Sequence, residues 1–195
     1  MIPVKSKKSN KGLGDEYRTP EWVWRPWHNV LNFKIDAACT ESNKIDESMI
    51  GWTKKDDSLS MPDGEWAKAC IDNGGAIWLN PPYSRAAGPL IRWVEKAYKE
   101  AKMGATVCMC LPADTSTNWF SMLWDRNAGI WKPHVRGYFV EYRVKFIHPR
   151  TLKPEGSPNF GTLIAVLEPN TPKTLVAVLE PNPSPEPRRF WEHLI

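Results

Sequence analysis

Asn80-Pro81-Pro82-Tyr83 follows the apolar run Ala76-Ile77-Trp78-Leu79 without a break. A buried strand that ends in two prolines leaves a stiff bend, because proline fixes φ and has no N–H to donate. Such a bend can only accept hydrogen bonds. An amino group on a nucleobase would meet two acceptors there, the Asn80 side-chain oxygen and the Pro81 carbonyl, with Tyr83 as a stacking face under the ring. Pro82 stiffens the bend, and Ser84 adds a hydroxyl beside the same ring. These residue types suit an exocyclic amine.

Further blocks occur in order along the chain: Asp15-Glu16-Tyr17-Arg18-Thr19-Pro20, Phe33-Lys34-Ile35-Asp36-Ala37-Ala38, Asn43, Asp57-Ser58-Leu59 with Trp66, and Leu111-Pro112-Ala113-Asp114-Thr115-Ser116-Thr117-Asn118-Trp119-Phe120. With the Asn-Pro-Pro-Tyr turn, this succession resembles the phage-type DNA N-6-adenine-methyltransferases, from about Asp15 to about Leu167. The resemblance implies a Rossmann-like α/β fold, S-adenosylmethionine as methyl donor, and double-stranded DNA with an extruded adenine as partner. It also implies a phage or prophage enzyme that protects DNA from restriction, acting as a monomer or homodimer.

The same resemblance distributes roles. Asn80, Pro81, Pro82 and Tyr83 form the catalytic turn. Thr19 with Pro20, Asp36-Ala37-Ala38 and Asp57 bind the cofactor: Asp36 accepts from its ammonium, Thr19 faces its carboxylate, and Asp57 receives the adenosine amine. Tyr83, Ser84 and Asp114 contact the DNA substrate. Accepting both amine hydrogens would push the nitrogen towards tetrahedral and ready it for in-line attack on a sulfonium methyl.

Each role has a plainer counterpart in the residues themselves. Thr19 before Pro20 is also an ordinary helix start, Asp36 a strand-end turn, and Asp114 a cap for a following helix. The Gly-x-Gly form of a cofactor loop is absent after the first strand. Two other functions therefore stay open: methylation of cytosine's exocyclic amine or of RNA, and a catalytically silent DNA-binding protein that keeps the fold. Methylation of a cytosine ring carbon would need a Pro-Cys nucleophile, and none of Cys39, Cys70, Cys108 and Cys110 follows a proline. Nor do these cysteines show the paired two-residue gaps of a zinc site, so no metal is expected.

A chain of 195 residues supports one full domain. We divide it into a basic arm over 1–14, a methyltransferase domain over 15–168 and a proline-rich tail over 169–195. No apolar run approaches the roughly 20 residues that cross a bilayer, and the start lacks a secretory apolar core, so a bacterial host cytoplasm is expected. The net charge of +4 agrees with a nucleic-acid partner without demanding one. Lys5, Lys7, Lys8 and Lys11, and later Arg136, Arg143, Lys145, Arg150 and Lys153, are candidates for phosphate contact or for a solvated surface.

Positioning these groups requires strands that end at one rim. The spacing predicts a helix from Pro20 to Asn29 or Val30, exposing Trp22, Trp24 and Trp27, with Pro26 as a potential break. It predicts strands at Phe33–Asp36, Ala76–Leu79 and Ala105–Leu111, with Cys108 and Cys110 buried on one face. Between Cys39 and Asn73 only short local elements are expected. A helix over Pro89–Lys102 would turn Lys96 and Glu100 outward, and another would run from Thr117 to about Asp125. Later strands are expected at Val135–Phe139, Val144–Ile147 and Thr162–Leu167. Strand and helix in alternation, then late strands, argue α/β with a mostly parallel sheet closed by a C-terminal antiparallel hairpin. The segment Ala165-Val166-Leu167-Glu168-Pro169-Asn170 recurs at Ala177-Val178-Leu179-Glu180-Pro181-Asn182.

Overall fold

The computed structural model describes residues 15–83, 89–155 and 158–170, together with the backbone of 177–179. The basic arm over 1–14, Ser84 and most of the tail lie outside these residues.

Helix α1 (Glu21–Leu31) leads through Asn32, in a left-handed conformation, into strand β1 (Phe33–Asp36). There follow β2 (Ile50–Gly51), a 3-10 turn (Ser58–Ser60), α2 (Glu65–Asn73) and β3 (Ala76–Leu79). Next come α3 (Ile91–Lys102), β4 (Val107–Pro112), the one-turn helix α4 (Phe120–Leu123), and a small hairpin of β5 (Trp124–Asp125) and β6 (Ile130–Trp131). Strands β7 (Val135–Val140), β8 (Thr162–Leu167) and β9 (Ala177–Leu179) close the described chain.

Seven strands form one sheet in the order β2-β1-β3-β4-β8-β7-β9. The pairs β1·β2, β1·β3, β3·β4 and β7·β9 are parallel, and β8 runs antiparallel to both neighbours. The fold is therefore α/β with a mostly parallel sheet and an antiparallel pair late in the chain, beside a separate two-stranded hairpin. The second copy of the repeated sequence enters the sheet as β9, at the edge.

Both faces of the sheet are covered, so its central strands β3, β4 and β8 are near-continuous buried apolar runs, as strands buried on both faces tend to be. On one face Ile35, Ile77, Leu79, Met109, Leu111 and Leu163 pack under α2 and α3. On the other, Trp78, Cys108, Cys110, Ile164 and Val166 pack with α1, as expected for the two cysteines.

Several elements differ from the sequence expectation, each for a physical reason. Trp24 and Trp27 are buried rather than exposed, because α1 turns them onto the sheet, where Trp27 lies 4.7 Å from the Tyr138 ring; only Trp22 stays in solvent. Pro26 sits inside α1 without ending it. Lys96 and Glu100 also point inward. The Lys96 ammonium donates to the carbonyls of Met61 and Pro62 at 2.7 and 2.8 Å and to Glu100 at 2.6 Å. The fully buried Glu100 carboxylate in turn accepts from the Gly64 and Ala67 N–H groups at 2.9 and 3.0 Å. It thus caps α2 from another helix, and α2 forms where only short elements were expected.

The helix expected to reach Asp125 stops at Leu123. Trp124 instead pairs across the hairpin with Trp131, their rings 5.1 Å apart, the kind of aromatic cross-strand contact that favours strands. Val144–Ile147 forms no strand: Ile147 makes only isolated bridges to Arg18 and Pro154.

Candidate active site

Along the sheet the chain places β2 on one side of β1 and β3 on the other. The order of connection reverses between β1 and β3, and ligands of open α/β sheets bind outside the carboxyl ends of the strands at such a reversal. Asp36 ends β1 level with Trp78 on β3, so Asn80 stands two residues beyond it on the adjacent strand, at the same rim. Asp114 follows β4 on the same rim, two residues beyond its last member Pro112.

The turn after β1 is fastened on both sides. Ala37 donates its N–H to the Trp78 carbonyl at 2.9 Å, and Ser58 Oγ donates to the Ala37 carbonyl at 2.5 Å. Trp66 Nε1 holds the Ser58 carbonyl at 3.0 Å. These bonds bring the 3-10 turn against Ala37-Ala38 and leave Asp57, at φ 43°, exposed beside them. The expected cofactor residues on β1 and around Asp57 are thus neighbours.

Asp36 is buried, with Oδ2 accepting the Ile45 N–H at 3.1 Å. Burial pushes its carboxyl up to about 7, against the backbone N–H groups of Ile45 and Ala38 and the charges of Lys44 and Arg18, which pull it down. A carboxylate poised there can accept a cation without being free in solvent.

Thr19 does not cap α1. Pro20 occupies the cap position, and the buried Thr19 hydroxyl instead accepts from Asn80 Nδ2 at 3.1 Å. Asn80 Oδ1 accepts from the Tyr83 hydroxyl at 2.7 Å, and the same hydroxyl lies 2.5 Å from the Cys110 carbonyl. One proton serves two acceptors here, so the tyrosine sits where a better donor could displace it. Burial, first of all, holds the Tyr83 phenol well above its ordinary range, so it is neutral. Its ring meets Phe160 edge-on at 5.8 Å.

In the structure Asn80 Oδ1, expected as an acceptor for a base amine, accepts the Tyr83 hydroxyl, and the Tyr83 ring, expected as a stacking face, meets Phe160 edge-on. Sequence reasoning also missed Asp15, whose Oδ1 accepts the Tyr83 N–H at 3.1 Å and pins the bend. Asp15 stood in the first block of residues quoted above, but a contact across 68 positions leaves no local signal.

Asp114 is exposed and makes a local turn, accepting from the N–H and hydroxyl of Ser116 at 3.0 and 2.6 Å. The Ser116 hydroxyl, then its N–H, hold the Asp114 carboxyl below the usual range. Of the later basic residues, Arg136 is tied to Glu168, while Arg143 and Lys145 line a cavity of about 670 Å³ that also borders Thr19, Pro20 and Trp22.

The sequence model of the DNA N-6-adenine-methyltransferase (Dam) family matches residues 5–183. A protein of Haemophilus phage HP1 (strain HP1c1) named DNA N-6-adenine-methyltransferase is 30% identical over 174 residues, covering 88% of this chain and 87% of that protein. One of the same name from Escherichia phage T1 is 32% identical over 143 residues, covering 69% of this chain and 54% of the phage protein.

Proposed function

Because the chain belongs to the DNA N-6-adenine-methyltransferase family, we propose that it acts at the β1/β3 rim as a site-specific enzyme methylating the amine of adenine in DNA. The hydrogen-bonded chain Thr19–Asn80–Tyr83 beside the buried Asp36 carries this reading.

The methyl donor is S-adenosylmethionine, in keeping with a methyltransferase family, and the residues present fit it. Asp36 offers a buried carboxylate to an ammonium, Ala37 and Ala38 allow close backbone approach, and Asp57 with Leu59 offers an acceptor and an apolar surface to the adenosine. Bound there, the cofactor supplies a methyl carbon activated by its sulfonium.

The chain's own residues act on the base. The adenine leaves the stack, since its amine is out of reach within the duplex. Its amine replaces the Tyr83 hydroxyl on Asn80 Oδ1, with the Pro81 carbonyl as second acceptor. The released Tyr83 ring supplies the stacking face. By accepting both amine hydrogens, Asn80 Oδ1 and the Pro81 carbonyl would concentrate the nitrogen lone pair towards the methyl group that the cofactor would supply, and the proton lost from the amine would pass to water. Thr19 fixes the Asn80 amide so that its oxygen, not its nitrogen, faces the substrate. No side chain need act as a strong base.

No described helix is long and apolar enough to cross a membrane, which agrees with action on DNA in a host cytoplasm. From the resemblance of the sequence to phage-type adenine methyltransferases, we infer protection of DNA from restriction as the biological role.

Incubation with unmethylated genomic DNA and methyl-labelled S-adenosylmethionine, followed by nucleoside analysis, tests the reading. N6-methyladenine is the expected product. Label in N4-methylcytosine or only in RNA would redirect it, and no transfer together with no cofactor binding would leave a silent DNA-binding protein.

A further inference from the structure

The bend Asn80-Pro81-Pro82-Tyr83 is short of donors. Pro81 and Pro82 carry no N–H, so the first main-chain donor after Asn80 is that of Tyr83. An acceptor that is to hold the far end of the bend by its backbone must take that group. Asp15 does so, accepting the Tyr83 N–H on Oδ1 at 3.1 Å across 68 positions of sequence.

Asp15 acts from a segment that is itself fastened. Arg18 exchanges two backbone hydrogen bonds with Ile147, at 3.0 and 2.9 Å, and Tyr17 sets its ring edge-on to His148 at 5.3 Å. From the loop beyond the turn after β1, the Asn43 side-chain amide donates to the Asp15 carbonyl at 3.4 Å. Thr19, in the same segment, accepts from Asn80 Nδ2 at 3.1 Å. Residues 15–19 therefore run counter to residues 80–83 and grip them at both ends: Thr19 holds the side chain of the first, and Asp15 holds the N–H of the last.

We propose, resting on the methyltransferase reading, that Asp15 is a positioning residue for methyl transfer: it aims the Pro81 carbonyl, the second acceptor of the adenine amine, and keeps the Tyr83 backbone in place while the Tyr83 side chain moves. The two prolines fix φ at positions 81 and 82. The planar peptide makes the Tyr83 N–H report the orientation of the Pro82 carbonyl. Between the two grips only the ψ angles stay soft, so holding both ends directs the carbonyl that lies between them. When a base arrives and the Tyr83 hydroxyl leaves Asn80, the N–H of the same residue is engaged separately and stays where it is. Without Asp15 the second acceptor drifts, and a misplacement of about 1 Å at a reacting centre costs on the order of a hundredfold in rate.

The test compares two variants of the full chain: Asp15→Ala removes the acceptor, and Asp15→Asn keeps an oxygen in its place. Hydrogen exchange at the Tyr83 amide, a readout independent of activity, should quicken about tenfold or more in Asp15→Ala as that bond opens. In Asp15→Asn it should stay within about threefold of wild type, the neutral acceptor being the weaker of the two. On duplex DNA, kcat of Asp15→Ala should fall roughly tenfold to a hundredfold. KM for DNA and calorimetric affinity for S-adenosylmethionine should each stay within about threefold, and Asp15→Asn should recover most of the lost kcat. Asp15 is exposed, so thermal unfolding midpoints of the three proteins should agree, which separates positioning from a general loss of structure. Wild-type kcat in Asp15→Ala, unchanged exchange at Tyr83, or Asp15→Asn as slow as Asp15→Ala would each overturn the proposal while leaving the enzyme assignment intact. If wild-type protein methylates no DNA, the underlying reading fails and this role with it.

Discussion

The Tyr83 hydroxyl donates to Asn80 Oδ1 at 2.7 Å, on the acceptor that the proposed chemistry reserves for the adenine amine. An internal donor thus meets the Asn80 acceptor, and substrate must compete with it. Tyr83→Phe removes the competitor and keeps the ring. It should lower stability by about 1 kcal/mol, while lowering KM for DNA several-fold and leaving kcat within about twofold of wild type. A tenfold loss of kcat in steady-state assays would instead make the hydroxyl part of the chemistry.

Asn80 itself carries the acceptor, so Asn80→Ala should reduce kcat on the order of a hundredfold or more, as removal of a preorganised transition-state partner does. Calorimetric affinity for S-adenosylmethionine should stay close to wild type. Undiminished turnover would remove Asn80 from the mechanism.

Asp36 keeps its proton in the folded protein up to about pH 7, whereas its ordinary value is 3.8. Between those values the folded state binds more protons than the unfolded one, so this group makes stability fall as pH rises across the window. Its contribution is complete below the lower value and lost above the upper. Asp36→Asn should flatten that fall, measured as urea midpoints at about pH 5 and about pH 8. An ammonium bound by the carboxylate favours its charged form, so cofactor affinity should also rise with pH up to about 7 and lose that dependence in the variant. Parallel pH profiles for the two proteins would rule this role out.

Glu100 neutralises Lys96 inside the protein and caps α2 as well. Glu100→Ala leaves the buried ammonium with only the half-exposed Asp63 carboxylate, 3.4 Å away, as countercharge, and loss of the buried partner of such a pair costs about 3–5 kcal/mol in comparable cases. Chemical denaturation should show a loss of that order, and a loss below about 1 kcal/mol would mean that water reaches the ammonium.

The parts legible in the sequence were those that local pattern determines. β1, β3, β4 and β8 are apolar runs bounded by turns, and they lie where periodicity put them, give or take a residue or two. The elements that escaped depend on distant partners. The cap of α2 comes from Glu100 on another helix, β5 exists because Trp131 lies opposite Trp124, and Thr19 is turned from capping by Asn80. Charge misled for the same reason: helical spacing places Lys96 and Glu100 outside, and their burial depends on each other and on distant backbone, the carbonyls of Met61 and Pro62 for Lys96 and the N–H groups of Gly64 and Ala67 for Glu100. At the site, residue types pointed to the bend at Asn80, while the bond from the Tyr83 hydroxyl to Asn80 Oδ1 and the hold of Asp15 on the Tyr83 N–H follow from the fold.

β8 is inserted between β4 and β7 although it is the last of the three to leave the ribosome. Until residues 162–167 emerge, the strand next to the Asn80 bend has one side unpaired, a sticky template for other chains. Nascent protein should therefore depend on holding factors late in translation, and truncations before that strand should yield insoluble, inactive material rather than a smaller working enzyme.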